Sequence, residues 1–438
     1  MKAIINGKIV LKNQVLENKV LVFDNKIIDI CDKAPKDAEI IDAKENLVTA
    51  GFISPHIHGI NGFDTEDASV EALNSMSEYL LTTGVTSWCP TLGTVEIEKI
   101  DEILNAVRQA QKENKGAKII GLHLEGIFLS KEKRGAHRED WLKLPDADIV
   151  IKNKDIIKLV ICAPELEGAT DFIKAVTKEG VKVALGHSNA TYEQTKAGID
   201  AGATDATHLF NATSPLSHRE PGLPGAVLTD NRIYAEMISD KFHIHPALYD
   251  FFYNLKKDKL IIITDSIRPA GMPDGTYEQN GFTVTKKGVE CRLPDGTIAG
   301  SVINLNTGIN NVAKNSKIPL YEVVNAATIN TATMLNVNDK IGSLDIGKAA
   351  DIVICDNEIN GTTDRPLRFS NESATITVSN NEIVSEGDSE HQMMKVSGTI
   401  DVEKIILGGN TWNGLEDAEL VYAEGVWTLP EESTPAAE

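Results

Sequence analysis

Apolar runs rich in Ile, Val and Leu punctuate the middle of the chain, and each breaks off at a polar residue. They end at His56, Thr91, Glu125, Glu165, His187, Asn211, Ser239 and Asp265, which makes eight candidate strands. Between most of them apolar residues recur at helical spacing. Residues 70–81 place Leu73, Met76, Tyr79 and Leu80 on one face behind acidic starters, and Gly84 stops the helix. Segments 97–111, 170–179, 191–201 and 246–255 behave alike. Strands alternating with helices predict an α/β protein, a TIM-like (β/α)8 barrel over 51–339. A doubly wound open sheet is the rival, disfavoured because no Gly-x-Gly-x-x-Gly turn follows the first strand.

The ends of the chain have another texture. Residues 1–50 read as short strands, with Asn6-Gly7 and Asp24-Asn25 as hairpin turns. Similar runs return at 344–354 and 373–384, predicting one small β-sandwich domain from 1–50 plus 340–385. Residues 386–438 form an acidic C-terminal extension, strand-like at 399–407 and 420–429, then disordered from Pro430.

Composition narrows the class. A length of 438 residues accommodates a large domain and a small one. The net charge of −21 argues against nucleic-acid and anionic-membrane partners, which need a basic face. A small anion bound in a local basic pocket stays compatible, since −10 of that charge falls on the extension, with 12 acids against 2 lysines. No run reaches the ~20 apolar residues of a membrane span, and the start lacks the character of a secretory signal. Five scattered cysteines without Cys-x-x-Cys spacing predict a reducing, cytoplasmic setting rather than a disulfide framework or thiolate zinc site.

The polar residues at the strand ends carry the chemistry. His56-Ile57-His58 places two imidazoles on one face of a strand, a weak signal alone. Glu125 follows Ile119-Ile120-Gly121-Leu122, and a carboxylate buried there needs a cation or a basic partner. His187 and His208 lie 21 residues apart, about one helix and one strand, so they fall on adjacent strand ends. Asp265 crowns Leu260-Ile261-Ile262-Ile263-Thr264, where an ionised group could accept and return a proton. Each residue has a structural alternative, a core histidine or a salt bridge. Their joint placement at successive strand ends favours a hydrolytic divalent-metal site.

These residues resemble the amidohydrolase superfamily, and within it the N-acetylglucosamine-6-phosphate deacetylase family, over about residues 1–385. The likeness rests on His123-Leu124-Glu125-Gly126, Gly186-His187-Ser188-Asn189-Ala190, His208-Leu209-Phe210-Asn211-Ala212, Arg219-Glu220-Pro221-Gly222-Leu223 and Ala299-Gly300-Ser301. The Arg219 string is the most discriminating. The resemblance implies that Glu125, His187 and His208 hold the principal divalent metal, with His56 and His58 supporting a second. Asp265 would be the catalytic acid/base, and His137 would polarise the acetyl carbonyl and contact substrate. Asn211, Ala212, Arg219 and His243 would bind the sugar phosphate, the last two gripping its phosphate in a homodimer. Zinc is the first choice of metal, with iron, cobalt or manganese as alternatives and one or two ions per subunit. Ser54 stands where an Asp is usual, and Ile127 where a Pro is usual.

The implied reaction is hydrolysis of the acetamide of N-acetylglucosamine 6-phosphate to glucosamine 6-phosphate and acetate. A deacetylase for the galactosamine epimer, or another amidohydrolase, is the enzymatic alternative. A catalytically silent scaffold or binding protein whose acidic extension recruits a partner is the alternative from another class.

Overall fold

The computed structural model describes residues 1–279 and 281–355. The strand expected at 373–384 and the whole extension 386–438 lie outside the described residues. The chain separates into two compact units. One comprises Met1–Gly51, Leu81–Gly84 and the chain from Asp339, the other Phe52–Leu80 and Val85–Asn338.

The first unit is a mixed sheet. It contains β1 (Lys2–Val10), β2 (Val15–Phe23), β3 (Ile27–Cys31), β4 (Glu39–Asp42) and β5 (Leu47–Ala50). β1 pairs antiparallel with β2 and parallel with β4 and β5, while β2 pairs antiparallel with β3. The strand Ile352–Cys355 pairs antiparallel with β5, so residues far apart in sequence share this sheet. Ile4, Ile9, Leu21, Phe23, Ile27 and Val48 pack with Leu344, Ile352 and Ile354 in one cluster. Ala3, Val20 and Val22 form another. Asn6-Gly7 is not a hairpin turn. Asn6, at φ 53°, begins a bulge where the register of β1 against β2 shifts, and the reversal comes at Leu11–Gln14. Gly7 is required there, because a Cβ would lie 2.5 Å from Val48 Cγ2. Asp24-Asn25 does turn β2 into β3.

The second unit is built on parallel strands. They are β6 (Phe52–Ile57), β9 (Val85–Leu92), β10 (Lys118–Ile119), β11 (Leu122–Leu124), β12 (Ile157–Cys162), β13 (Lys182–Leu185), β14 (Asp205–Ala206), β15 (Ala235–Ile238) and β16 (Leu260–Ile263). A two-strand hairpin, β7 (Gly59–Ile60) and β8 (Phe63–Asp64), follows β6. β6, β9, β11, β12, β13 and β14 pair in that order, with β10 on β9. β15 pairs with β16. The sheet curls. Tyr234 N–H donates to Thr204 O and Leu209 N–H to Glu236 O, linking the β14 and β15 segments, while Asp265 N–H donates to His56 O, linking the ends of β16 and β6. β6, β9, β15 and β16 are buried along their whole length, which accounts for runs without polar alternation.

Helices α1 (Val70–Thr82), α2 (Ile100–Glu113), α4 (Ala169–Lys178), α5 (Tyr192–Ala201) and α7 (Tyr249–Lys256) coincide with the five predicted ones; α3 (Ala147–Ile151), α6 (Gly222–Thr229), α8 (Leu305–Asn315), α9 (Leu320–Asn325) and α10 (Ile329–Met334) complete the set. A capping box explains the start of α5: Thr191 Oγ1 accepts from Gln194 N–H, and Gln194 Oε1 accepts from Thr191 N–H. The antiparallel excursion β17 (Gly275–Gln279), β18 (Phe282–Lys287) and β19 (Glu290–Arg292) was not foreseen by the alternation. Among the described residues no helix is long and apolar enough to cross a membrane. The five cysteines are all free thiols.

Candidate functional site

The carboxyl ends of five strands converge on Glu125, which follows β11 and is 1% exposed. His58 Nε2 lies 2.6 Å from its Oε2, and His187 and His208 Nε2 each lie 3.2 Å from its Oε1. His56 Nε2 is 3.4 Å away and His137 Nε2 3.8 Å. Asp265 Oδ1 sits 3.3 Å from the Nε2 of both His56 and His58. Two groups of ligand atoms result, His56–His58–Glu125–Asp265 and Glu125–His187–His208, each gathered within 4.8 Å.

The outer nitrogens of three rings are tied down. His187 Nδ1 is 2.8 Å from Lys133 O, His208 Nδ1 is 3.1 Å from Asn211 O, and His56 Nδ1 is 2.9 Å from Glu236 Oε2. An acceptor at Nδ1 fixes a proton there and leaves Nε2 as the nitrogen that faces inward, the one a metal would take. His187 and His208 Nε2 are 3.0 Å apart, facing one carboxylate oxygen. His56 Nε2 is buried without a well-aligned hydrogen-bond partner. Inward-facing Nε2 atoms, a shared carboxylate and an orphaned nitrogen suit a divalent cation. The backbone is bent to achieve this: His187, His208 and Asp265 adopt φ of 44°, 27° and 52°, a left-handed conformation costing about 1–3 kcal/mol each.

Charge in the cluster is strongly coupled. Burial opposes protonation of His56 and His58, but Glu125 and further carboxylates outweigh it: His56 is held well above the ordinary imidazole value and His58 is pushed up to about 10. Burial would raise Glu125, yet His56 and His58 hold it well below the usual carboxylate range, and Asp265 is lowered likewise. His137 behaves oppositely. Burial, then the neighbouring His187, lower it to about 3, so its ring is neutral. Thr94 N–H donates to His137 Nδ1 at 3.3 Å, which leaves the proton on Nε2 as a donor.

A cavity of about 370 Å³ opens above these groups, lined by His58, Glu125, His137, His187, His208 and Asp265 together with Asn211, Ala212 and His243. His243 is held by Asp240, whose Oδ2 lies 2.6 Å from Nδ1. Arg219 is exposed and is not among the residues lining this cavity. The sequence reading thus meets ten of its eleven site positions on or beside one cavity, counting His56 beneath it and leaving out only Arg219 among His56, His58, Glu125, His137, His187, His208, Asn211, Ala212, Arg219, His243 and Asp265.

Three carboxyls escaped that reading. Glu236, fully buried on β15, accepts from Thr207 Oγ1 at 2.8 Å and from His208 N–H at 3.2 Å besides holding His56. Asp205 on β14 lies beside it, and burial with the Glu236 charge holds its pKa well above normal, so it keeps a proton. Glu66 lines the cavity. A lone acid inside a buried strand, as at Ala235-Glu236-Met237, was a usable signal for the first, because such a group needs a partner. Ser54 Oγ, at the position of an expected Asp, is buried without a hydrogen-bond partner among the described residues.

Residues 47–386 match the model of the amidohydrolase family, well over half of the chain. The chain belongs to the amidohydrolase family. It is 35% identical over 363 residues to the N-acetylglucosamine-6-phosphate deacetylase of Bacillus subtilis (strain 168), covering 80% of this chain and 92% of that protein. It is 33% identical over 331 residues to the N-acetylgalactosamine-6-phosphate deacetylase of Escherichia coli O157:H7, covering 74% and 88%. The crystal structure of N-acetylglucosamine-6-phosphate deacetylase from Pasteurella multocida superposes with a TM-score of 0.77 at 34% identity, covering 80% and 94%. This chain is thus a hydrolase of that family, similar over most of its length to amino-sugar-phosphate deacetylases.

Proposed function

We propose that this amidohydrolase hydrolyses the acetamide of N-acetylglucosamine 6-phosphate, giving glucosamine 6-phosphate and acetate. One observation carries the reading: Glu125, His187 and His208 meet at a single point, with Asp265 and His58 alongside in the cavity wall. Glu125, His187 and His208 would hold the principal divalent metal, zinc first, and His56 and His58 would support a second. Such an ion supplies the Lewis acidity that activates water and polarises an amide carbonyl. Asp265, ionised and within reach of the cavity, accepts the proton of the attacking water and returns it to the departing amine. His137 donates its Nε2–H to the carbonyl oxygen as negative charge builds, a contribution of about 3–4 kcal/mol for a well-placed donor. Asn211, Ala212 and His243 line the same cavity, where a phosphorylated sugar would be anchored, so that binding energy away from the reacting bond positions the acetamide. Arg219 would complete the phosphate grip from a second subunit of a homodimer. The fold reading that accompanies this is a closed (β/α)8 barrel over 51–339, with a β-sandwich from 1–50 and 340–385.

The decisive experiment is acetate release by wild type and Asp265→Asn, with metal content measured on both. Wild type is expected to release acetate, and the variant to keep its metal while losing at least about 100-fold in kcat, the lower range for a general acid–base group. Unchanged turnover in the variant would refute the role. Faster turnover of N-acetylgalactosamine 6-phosphate would move the assignment to the epimer, which the Escherichia coli relative makes a concrete rival.

A further inference from the structure

Three acids follow one another on and beside a single turn at the cavity edge. Asp64 ends β8, and Glu66 and Asp67 sit in the 3-10 turn Thr65–Asp67. Two of them are fully employed. Asp64 caps the turn, accepting Glu66 N–H at 3.0 Å, and its other oxygen accepts from Gln279 Nε2 at 2.8 Å. Asp67 accepts Asp64 N–H at 2.9 Å and both arms of Arg268, at 2.6 and 3.1 Å. Glu66 differs: its Oε2 is buried and has no hydrogen-bond partner among the described residues.

The turn itself is pinned, so this isolation is built in. Arg268 also donates to Gly62 O at 2.9 Å, fixing the turn of the hairpin β7–β8. Opposite, Gly93 makes room. A Cβ there would lie 2.6 Å from Glu66 Oε1 and 3.5 Å from His137 Cε1, so the Glu66 carboxyl and the His137 ring share one stretch of cavity wall. Burial and the neighbouring Asp64 keep the Glu66 pKa well above the ordinary carboxyl value.

A buried carboxyl oxygen left unpaired is a net cost to the folded protein. Accepting that cost holds the carboxyl where its other oxygen, Oε1, stands beside Gly93 in the cavity wall, the side a ligand can reach. An alcohol is the partner that suits either state of the acid, since it both donates and accepts; alkyl, aromatic or phosphate groups do not. Resting on the activity proposed above, we infer that Glu66 is a substrate-contacting specificity residue. Its Oε1, beside Gly93, exchanges a hydrogen bond with a ring hydroxyl of the N-acetylated sugar, on the side of the cavity walled by His137.

The test compares wild type, Glu66→Gln and Glu66→Leu on N-acetylglucosamine 6-phosphate and on its 3-deoxy and 4-deoxy analogues, with melting temperatures alongside. Glu66→Leu is expected to lose about 10- to 100-fold in kcat/KM on the full substrate, the range for one lost bond to a polar group. It should also lose wild type's discrimination against one deoxy analogue. Glu66→Gln, which keeps a donor and an acceptor, should stay within several-fold of wild type and retain that discrimination. Glu66→Leu should melt no lower than wild type, because it removes an orphaned polar group. Unchanged kcat/KM in Glu66→Leu would overturn the contact, as would an equal loss on every analogue with a lowered melting temperature, the signature of a structural role. Absence of acetate release by wild type from N-acetylglucosamine 6-phosphate would instead overturn the activity reading, and the contact with it.

Discussion

Glu236 illustrates how much of this site lies behind the groups that face the cavity. Its Oε2 gathers His56 Nδ1, Thr207 Oγ1 and the backbone N–H of His208, so one carboxylate sets both a ring orientation and a strained loop. Replacing it by Gln leaves the shape but changes the chemistry. The amide oxygen takes the place of Oε2, because Thr207 Oγ1 and the His208 N–H need an acceptor there, but without the charge it leaves His56 a weaker donor to a metal. Glu236→Gln is therefore expected to weaken divalent-metal binding by about 10- to 100-fold, the usual cost of losing such a supporting partner. Titration of the chelator-stripped protein with zinc checks this, and unaltered affinity would remove Glu236 from that role. At this scale the sequence was half legible. Histidines and Glu125 at strand tips announce themselves by type and place. Glu236 shows only as an acid inside an apolar strand, and Glu66 not at all, because their importance depends on which neighbours are satisfied, a property of three-dimensional packing.

Element by element, legibility follows burial. The parallel strands are largely buried, so apolar residues run through them without strict alternation, and each of the eight predicted strands is found in its run. Their ends were harder. β12 stops at Cys162 and β14 at Ala206, short of Glu165 and Asn211, because after β14 the backbone enters the left-handed region at His208. Asn6-Gly7 misled because the same dipeptide serves a turn or a bulge, and only the pairing of β1 with β2 distinguishes them. α6 escaped because Gly222 and Pro224 obscure its helical period. Its exit is secured by charge: Asp230, directly after α6, accepts from Arg232 Nε at 3.0 Å and Nη2 at 2.6 Å, and from Lys196 on α5. The Arg232 guanidinium, outweighing burial and aided by Lys196, holds the Asp230 carboxyl well below its ordinary value. A depressed carboxyl contributes stability that is complete above its unfolded pKa of about 3.9 and is lost as pH falls toward the folded one. Asp230→Asn should thus cost on the order of 1–2 kcal/mol at pH 7. The gap to wild type should close progressively below about pH 4. Urea denaturation at pH 7 and at lower pH measures both, and a gap constant with pH would exclude this linkage.

Across the whole molecule, the cluster joins chain segments from His56 to Asp265, so whatever occupies it bears on stability as well as chemistry. Without a cation, the carboxylates of Glu125, Glu236 and Asp265 hold protons on His56 and His58, and imidazolium–carboxylate pairing neutralises much of the buried charge. The metal-free protein should therefore remain folded rather than collapse, unlike small domains whose core is the metal site. Binding a cation must displace those protons, because a protonated imidazole has no lone pair to give. Two consequences follow with fixed signs. Metal affinity rises as pH rises, and uptake at pH 7 releases protons. Chelator-treated protein is expected to show an unchanged far-ultraviolet spectrum at 25 °C and a lower melting temperature, restored by zinc. The restored stability should grow by about 1.4 kcal/mol for each tenfold excess of free metal over Kd. Calorimetric titration in two buffers of different ionisation enthalpy counts the protons released. A heat independent of buffer would mean the histidines are already neutral, and the electrostatic account of the cluster would then fail even if the metal binds.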